Sequence, residues 1–297
     1  MLVLLNPQAR GGRARRLEPL LREALAMRTT HAAQAEVVAP ASVADALALL
    51  QAQPRGSRIV LVGGDGTLHQ MLPALLAREL EIGLIPAGSG DDSARAFGLH
   101  GWPWPKALAY AMSAPAAAID VGEVSTAQET RPFVSSLGVG FDAAVAQRAL
   151  QGPAWLRGMP RYLLATLREV AHLRRYRLRL SLDGQPLHDG EALFASTLNT
   201  PSYGGGMLAA PRAAIDDGRL DLLLVGRFDR VGTLLMLPRL LLGRHLGHPE
   251  VQYRGFTRLC IEGEGALPLA ADGETMAAAS RIEVRVLPRA LKVVRAV

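Results

Sequence analysis

The sequence predicts an α/β N-terminal domain with a doubly wound, mostly parallel sheet, followed by a C-terminal antiparallel β-sandwich domain. Three observations support this. At 297 residues the chain exceeds the usual size of one domain. Up to residue 118, short apolar runs alternate with glycine-rich loops and helical segments, which is the pattern of a parallel sheet. Beyond it, short strands are separated by turn dipeptides, as in antiparallel sheets. The expected division is 1–118 for the α/β domain, 119–290 for the sandwich, and 291–297 for a terminal strand that could return to the first domain.

The first run, "LVLLN", leads into "PQARGG" and an arginine-rich helix with Leu17, Leu20, Leu21 and Leu25 on one face. "AEVVA" is a second strand, ahead of the helix "SVADALALLQ". "RIVLV" leads into "GGDG" and "IGLIP" into "AGSGDD", each with a helix after it. Ligands of such sheets sit beyond the carboxyl ends of the strands, where these glycine loops fall. In the second half, "YRLRLSLDGQPL" alternates Leu178, Leu180 and Leu182 with polar residues before an Asp-Gly turn, a hairpin signal. Further strands are expected at 133–138, 192–198, 220–225, 257–261 and 280–286, with one or two helices among them.

Hydrophobic residues make up 49% and aromatics 5%, so the core must be mainly Leu, Val, Ile and Ala. Cys260 is the only cysteine, which excludes an internal disulfide and a Cys-based metal site and fits a reducing compartment. It is expected as a small buried apolar residue. "MLVLLNPQ" lacks a basic flank and a cleavage site and reads as a strand, not an export signal. Lys106 and Lys292 are the only lysines, and neither follows a glycine loop, so a Walker-type site is excluded. The net charge of +6 attracts anionic partners. The basic residues are spread along the chain without a recognised motif, so nucleic acid is not an expected partner. The longest apolar segment, 231–243, is broken by Pro238 and Arg239 and is shorter than the roughly 20 residues that span a bilayer.

In "VGGDGTLHQMLPALL", Thr67 is expected to cap a helix, with Gln70 completing a capping box. The loop then delivers a helix N-terminus whose free N–H groups suit a phosphate, with glycines that let it approach. Asp65 would repel phosphate unless a divalent cation bridges the two. A tight turn with a solvated carboxylate is the alternative. The next loop repeats the design with Ser89, Asp91 and Asp92. Two such loops on neighbouring strands point to a nucleotide triphosphate and a metal. The first loop adds Asn6, Gly11, Gly12, Arg10 and Arg13.

"NPQARGG", "VGGDGTLHQ" and "IPAGSGDDSARAFG" resemble the N-terminal signatures of the diacylglycerol kinase catalytic family, which includes bacterial lipid kinases and the sphingosine and ceramide kinases. The resemblance continues in "GVGFDA", "NTPSYGGGMLAAPRAAIDDGRLDLLLV" and "ADGET" and spans nearly the whole chain. It implies a fold like that of NAD kinase and diacylglycerol kinase, with the active site in the cleft between the domains. It implies ATP contacts from Asn6, Pro7, Gln8, Ala9 and Arg10, from Gly63, Gly64, Asp65, Gly66, Thr67, Leu68 and His69, and from Ser89. Asp65 and Asp92 match acidic positions near the phosphates and Mg²⁺. Asp217 matches a metal-binding aspartate, supported by the backbone carbonyls of Ala214 and Arg219. Glu274 matches the catalytic base, with Asp272 beside it and Asp65 as the third catalytic carboxylate. Asp142 of "GFDA" is a candidate substrate contact, with a helix cap as the alternative. "DGE" and "IDDG" also read as plain turns.

The family's "G-T-x-N-D" is here Gly88-Ser89-Gly90-Asp91-Asp92, and its "N-E" is His69-Gln70. A threonine common after the second strand is Ala39 or Pro40. The leucine-rich 231–243 segment, with arginines at 227, 230, 239 and 244 around it, has the character of an interfacial helix near anionic headgroups, or of a buried core helix. The reading is a cytoplasmic kinase on the inner face of the membrane that uses ATP and Mg²⁺ to phosphorylate a lipid, with diacylglycerol as the first choice and phospholipid biosynthesis as the setting. The alternatives are a soluble NAD kinase-like enzyme and a catalytically weak nucleotide-binding or membrane-sensing relative. Oligomeric state is open, a homodimer being one option.

Overall fold

Strands with no polar face must be covered on both sides, and β1 (Leu2–Leu5), β3 (Arg58–Gly63) and β4 (Glu81–Pro86) are buried almost throughout. The computed structural model describes residues 1–27, 35–153, 155–156 and 158–296; Val297 of the expected terminal strand lies outside them. Contacts divide the chain into two units, Met1–Ile119 with Arg289–Val297, and Asp120–Pro288.

In the first unit the parallel order is β2 (Glu36–Val38), β1, β3, β4. Beyond β4, Lys292 and Val293 pair in parallel with Glu81 and Ile82. The helices are α1 (Leu17–Ala26), α2 (Val43–Gln51), α3 (Asp65–Ala77), α4 (Asp92–Ala96) and α5 (Trp104–Ser113). On α1, Leu21 and Leu25 are buried but Leu20 is 43% exposed, so the inward face is narrower than the leucine pattern suggests. Ser42 caps α2 by accepting the Asp45 N–H at 3.1 Å.

The second unit is antiparallel. One layer runs β12 (Val251–Phe256), β11 (Leu220–Val225), β10 (Phe194–Leu198), β7 (Ser136–Val139). The other contains the hairpin β8 (Tyr176–Leu182) and β9 (Gln185–Ala192). The long strand β13 (Arg258–Ala271) joins both, pairing β8 at residues 259–263 and β7 at residues 269–271, with register shifts between the two. β14 (Glu274–Val294) runs beside β13, and β5 (Ala116–Ser125) and β6 (Thr130–Phe133) complete the strands. Phe133, Leu178, Leu222, Phe256 and Ile282 fill the core between the layers.

Among the described residues three helices, not one or two, accompany these strands: α6 (Phe141–Leu150), α7 (Met159–Val170) and α8 (Arg230–Leu241). They bury their own core, including Phe141, Val145, Phe194 and Met236, against the outer face of β10 and β11. The strand boundaries expected for β13 and β14 were too short, because their bulged, alternating stretches carry glycine and charge that mask the periodicity. Cys260 on β13 is half-buried, not fully enclosed, and faces Arg281, Glu262 and Glu283 on a polar side of the strand.

Candidate functional site

At the carboxyl ends of β1, β3 and β4, three loops are locked to one another. Asn6 Nδ2 donates to Thr67 Oγ1 at 2.7 Å, while Asn6 Oδ1 accepts the Gln8 N–H at 2.9 Å. The Asp65 carboxylate accepts the backbone N–H groups of Asp92 at 3.1 Å and Ser93 at 2.8 Å. Arg10 Nε donates to the Gly88 carbonyl at 3.2 Å.

Thr67 does not cap α3. The helix begins two residues earlier, with Gly64 at the cap, and the Leu68 N–H bonds to the Gly64 carbonyl at 3.1 Å. Thr67 is thereby inside the first turn, where its hydroxyl is taken by Asn6, and Gln70 is exposed. The glycines serve the protein itself as well as any ligand. A Cβ on Gly63 would lie 2.6 Å from the Thr67 side chain, and one on Gly64 would lie 2.5 Å from the Gly88 Cα.

The N–H groups of Asp65, Gly66 and Thr67 form the open first turn of α3. The side chains of Leu68 and His69 are buried, whereas Ser89 is exposed. Beside the loops lies a cavity of about 340 Å³ lined by Asn6, Pro7, Gln8, Pro40, Ser42 and Thr67, among others. Asp92 is buried and paired with Arg95 at 3.2 Å. Asp91 sits in the left-handed region at φ 55° and accepts the Gly88 N–H at 2.8 Å. Burial pushes its carboxyl up, and the neighbouring Asp65 charge adds to that.

In the second unit, Asp272 and Gly273, at φ 48° and 83°, make the two-residue turn between β13 and β14. The Asp272 carboxylate accepts the N–H groups of Val134, Ser135 and Ser136 at 2.9, 2.7 and 3.1 Å. The carboxylate thereby holds this strand entry. Glu274, half-buried one residue past the turn, makes no side-chain hydrogen bond or ion pair among the described residues.

Exposed Asp217 lies on the 214–219 turn and accepts the Arg219 N–H at 3.0 Å, while the Arg219 guanidinium turns away to the Gly255 carbonyl at 2.7 Å. Sequence reasoning missed the residues that hold this turn. The Asp120 N–H donates to the Ile215 carbonyl at 2.6 Å, and Asp120 Oδ2 accepts the Gly218 N–H at 2.6 Å. Buried Asn199 donates to the carbonyls of Asp120 and Val134, both at 2.9 Å. Asp120, Asn199 and Asp272 thus form one connected set. A carboxylate inside the strand "AAAIDVG" was the only available signal.

Among the described residues no group of three or more His, Cys, Asp or Glu side chains could hold a metal. The donors implied for Mg²⁺, one carboxylate and two backbone carbonyls, are all hard oxygens, and a magnesium ion that keeps several waters and phosphate oxygens fits such a set.

Asp142, in the first turn of α6, is buried and accepts hydrogen bonds from Tyr162 at 2.5 Å, Tyr203 at 2.6 Å and Ser196 at 2.8 Å. Burial pushes its carboxyl up, opposed by these three donors. It borders an apolar cavity of about 50 Å³, lined also by Val145, Met207, Thr233, Met236, Leu240 and His245.

Residues 1–124 match the diacylglycerol kinase catalytic domain, and residues 135–295 the YegS C-terminal NAD kinase beta sandwich-like domain. A diacylglycerol kinase of Mycobacterium tuberculosis (strain CDC 1551 / Oshkosh) is 34% identical over 250 residues, 83% of this chain and 80% of that protein. A diacylglycerol kinase of Bacillus subtilis (strain 168) is 26% identical over 218 residues, 73% of this chain and 70% of that protein. A crystal structure of a diacylglycerol kinase from Bacillus anthracis str. Sterne has a TM-score of 0.71 at 18% identity, covering 99% of this chain and 96% of that one. Among the described residues no helix is long and apolar enough to cross a membrane.

Proposed function

The chain belongs to the lipid kinase family that joins a diacylglycerol kinase catalytic domain to a YegS-type C-terminal domain, and from that premise we propose that it transfers the terminal phosphoryl group of ATP to a lipid hydroxyl. Diacylglycerol is the acceptor to test first, with phosphatidate as product. The observation that carries the nucleotide half is the assembly of three loops at the strand ends beside the 340 Å³ cavity.

In this reading Asn6, Pro7 and Gln8 line the nucleotide pocket, and the first-turn N–H groups of α3 receive phosphate oxygens. Ser89 and Arg10 add a hydroxyl and a cation from neighbouring loops. Asp65 holds the α3 and α4 loops together, so that the phosphate-binding amides are fixed before the nucleotide arrives.

Glu274 takes the proton of the acceptor hydroxyl as its oxygen attacks the γ-phosphorus and the bond to the β–γ bridging oxygen breaks. Its lack of a partner supports this role. Asp272, held by three N–H groups, positions the turn that carries Glu274. Asp217 with the carbonyls of Ala214 and Arg219 would hold Mg²⁺, which when bound neutralises charge on the phosphates. The apolar cavity beside Asp142 would receive an acyl chain. At about 50 Å³ it must widen to do so, and Met207 and Met236 are the adaptable side chains that allow it. Asp142 acts by tying Tyr162 of α7 and Tyr203 to α6.

The test is incubation of the purified full chain with γ-labelled ATP, Mg²⁺ and a panel of acceptors in mixed micelles: diacylglycerol, ceramide, sphingosine and, in solution, NAD. Labelled phosphatidate is expected. Label only in NADP would mean the NAD kinase-like alternative, and ATP binding with no labelled product at all would mean a sensor.

A further inference from the structure

α8 is apolar on two opposite faces. Its inner face, with Thr233, Met236, Leu237 and Leu240, lines the apolar cavity. Its outer face shows Val231, Leu234 and Leu235 at 64%, 41% and 68% exposure, Pro238 exposed, and Leu242 just past its end at 63%. The spacing i, i+3, i+4, i+7, i+11 keeps these residues on one stripe. Leu208, itself 39% exposed, extends the stripe, since it lies against Gly243. A helix apolar all round is normally enclosed, yet among the described residues nothing covers this one.

Between Asp229, which caps the helix, and Glu250, the charge along the stripe has one sign. Residues 230–248 contain three arginines and no acidic residue. Arg230, Arg239 and Arg244 are exposed and form no ion pair among the described residues. Leucines that can enter a hydrocarbon boundary, flanked by arginines that can meet phosphates, match an anionic bilayer surface. They match a protein groove less well, because an apolar groove would leave the three guanidinium groups unpaired.

We propose that the outer face of α8, with Leu208, seats the second unit on the surface of an anionic phospholipid bilayer. The proposal rests on the lipid kinase reading and gives it a route. A lipid leaving the bilayer passes only the width of one helix, about 10 Å, to bring a chain into the cavity lined by the inner face.

The experiment is co-sedimentation of the full chain with vesicles of phosphatidylcholine alone and of phosphatidylcholine containing phosphatidylglycerol. Wild type should bind the anionic vesicles. Leu235→Asp and Leu242→Asp, each with an unchanged melting temperature, should bind about tenfold more weakly, and Arg239→Gln and Arg244→Gln about fivefold each. Turnover of a short-chain diacylglycerol dissolved below its micelle concentration should be the same in Leu235→Asp as in wild type. Equal vesicle binding by wild type and both aspartate variants overturns the proposal. So does a wild-type dimer that Leu235→Asp converts to a monomer without any vesicle binding, since the face would then cover a second copy. Vesicle binding that depends on α8 with no turnover of any lipid supports the docking face and overturns the kinase reading alone.

Discussion

The Asp65 carboxylate accepts the backbone N–H of Ser93 at 2.8 Å, so an acid in the first turn of α3 caps the first turn of α4. Neither the metal-bridged nor the solvated carboxylate expected from the sequence includes this contact between the two loops. Capping by a carboxylate satisfies orphan donors and complements the helix dipole. Asp65→Ala should cost about 1–3 kcal/mol of stability, the penalty for leaving such donors unsatisfied. Urea unfolding checks this, and a midpoint equal to wild type would show that the two hydrogen bonds are dispensable. ATP affinity, measured by calorimetry on the folded variant, should fall as well, because the two glycine loops lose their tie.

Asp91 replaces the asparagine expected from the family pattern and is held above its ordinary range by burial and by Asp65. A carboxyl whose folded pKa lies above the unfolded value contributes stability that is full below the unfolded pKa and is lost as pH rises through the folded one. Wild type should therefore gain stability relative to Asp91→Asn as pH falls from neutral toward 4. At neutral pH the variant should be the more stable, since its amide oxygen can still accept the Gly88 N–H and asparagine tolerates the left-handed conformation. Melting temperatures across that range are the measurement, and parallel curves would show that Asp91 is not perturbed.

Features coded by neighbours in the chain were legible in the sequence. The glycine loops after β3 and β4, and the Asp-Gly turns at 183–184 and 272–273 with positive φ throughout, follow from local composition. The start of α3 was not legible, because Thr67 is claimed by a residue 61 positions away. The same holds for Asp120, which acts on Gly218 at a separation of 98 residues, and for Asn199, 79 residues from Asp120. Asp272 and Glu274 look alike in "DGE", and only the three N–H groups around Asp272 separate their roles.

That separation gives a paired prediction. Asp272→Asn should destabilise by about 1–3 kcal/mol, because an amide nitrogen cannot accept from the N–H groups of 134–136. Glu274→Gln should leave stability within about 0.5 kcal/mol of wild type and lower the rate of phosphoryl transfer by about 10²–10⁴-fold, the usual contribution of a general base. Single-turnover kinetics and urea unfolding of both variants check it. Full activity in Glu274→Gln would remove it from the role of base.

Asp120 touches neither nucleotide nor acceptor in this reading, yet it grips both sides of the Asp217 turn, through the Ile215 carbonyl and the Gly218 N–H. Partners that orient metal ligands typically affect metal affinity by about 10–100-fold. In Asp120→Asn the main-chain bond to Ile215 remains, while the side chain can offer an NH₂ group where the Gly218 N–H needs an acceptor. The turn should then present Asp217 and the carbonyls of Ala214 and Arg219 less well. The Mg²⁺ concentration for half-maximal turnover should rise by about tenfold or more, while affinity for ATP without metal, which depends on the other unit, stays unchanged. A lower melting temperature alone, with the Mg²⁺ dependence of the folded fraction unaltered, would confine Asp120 to holding the fold.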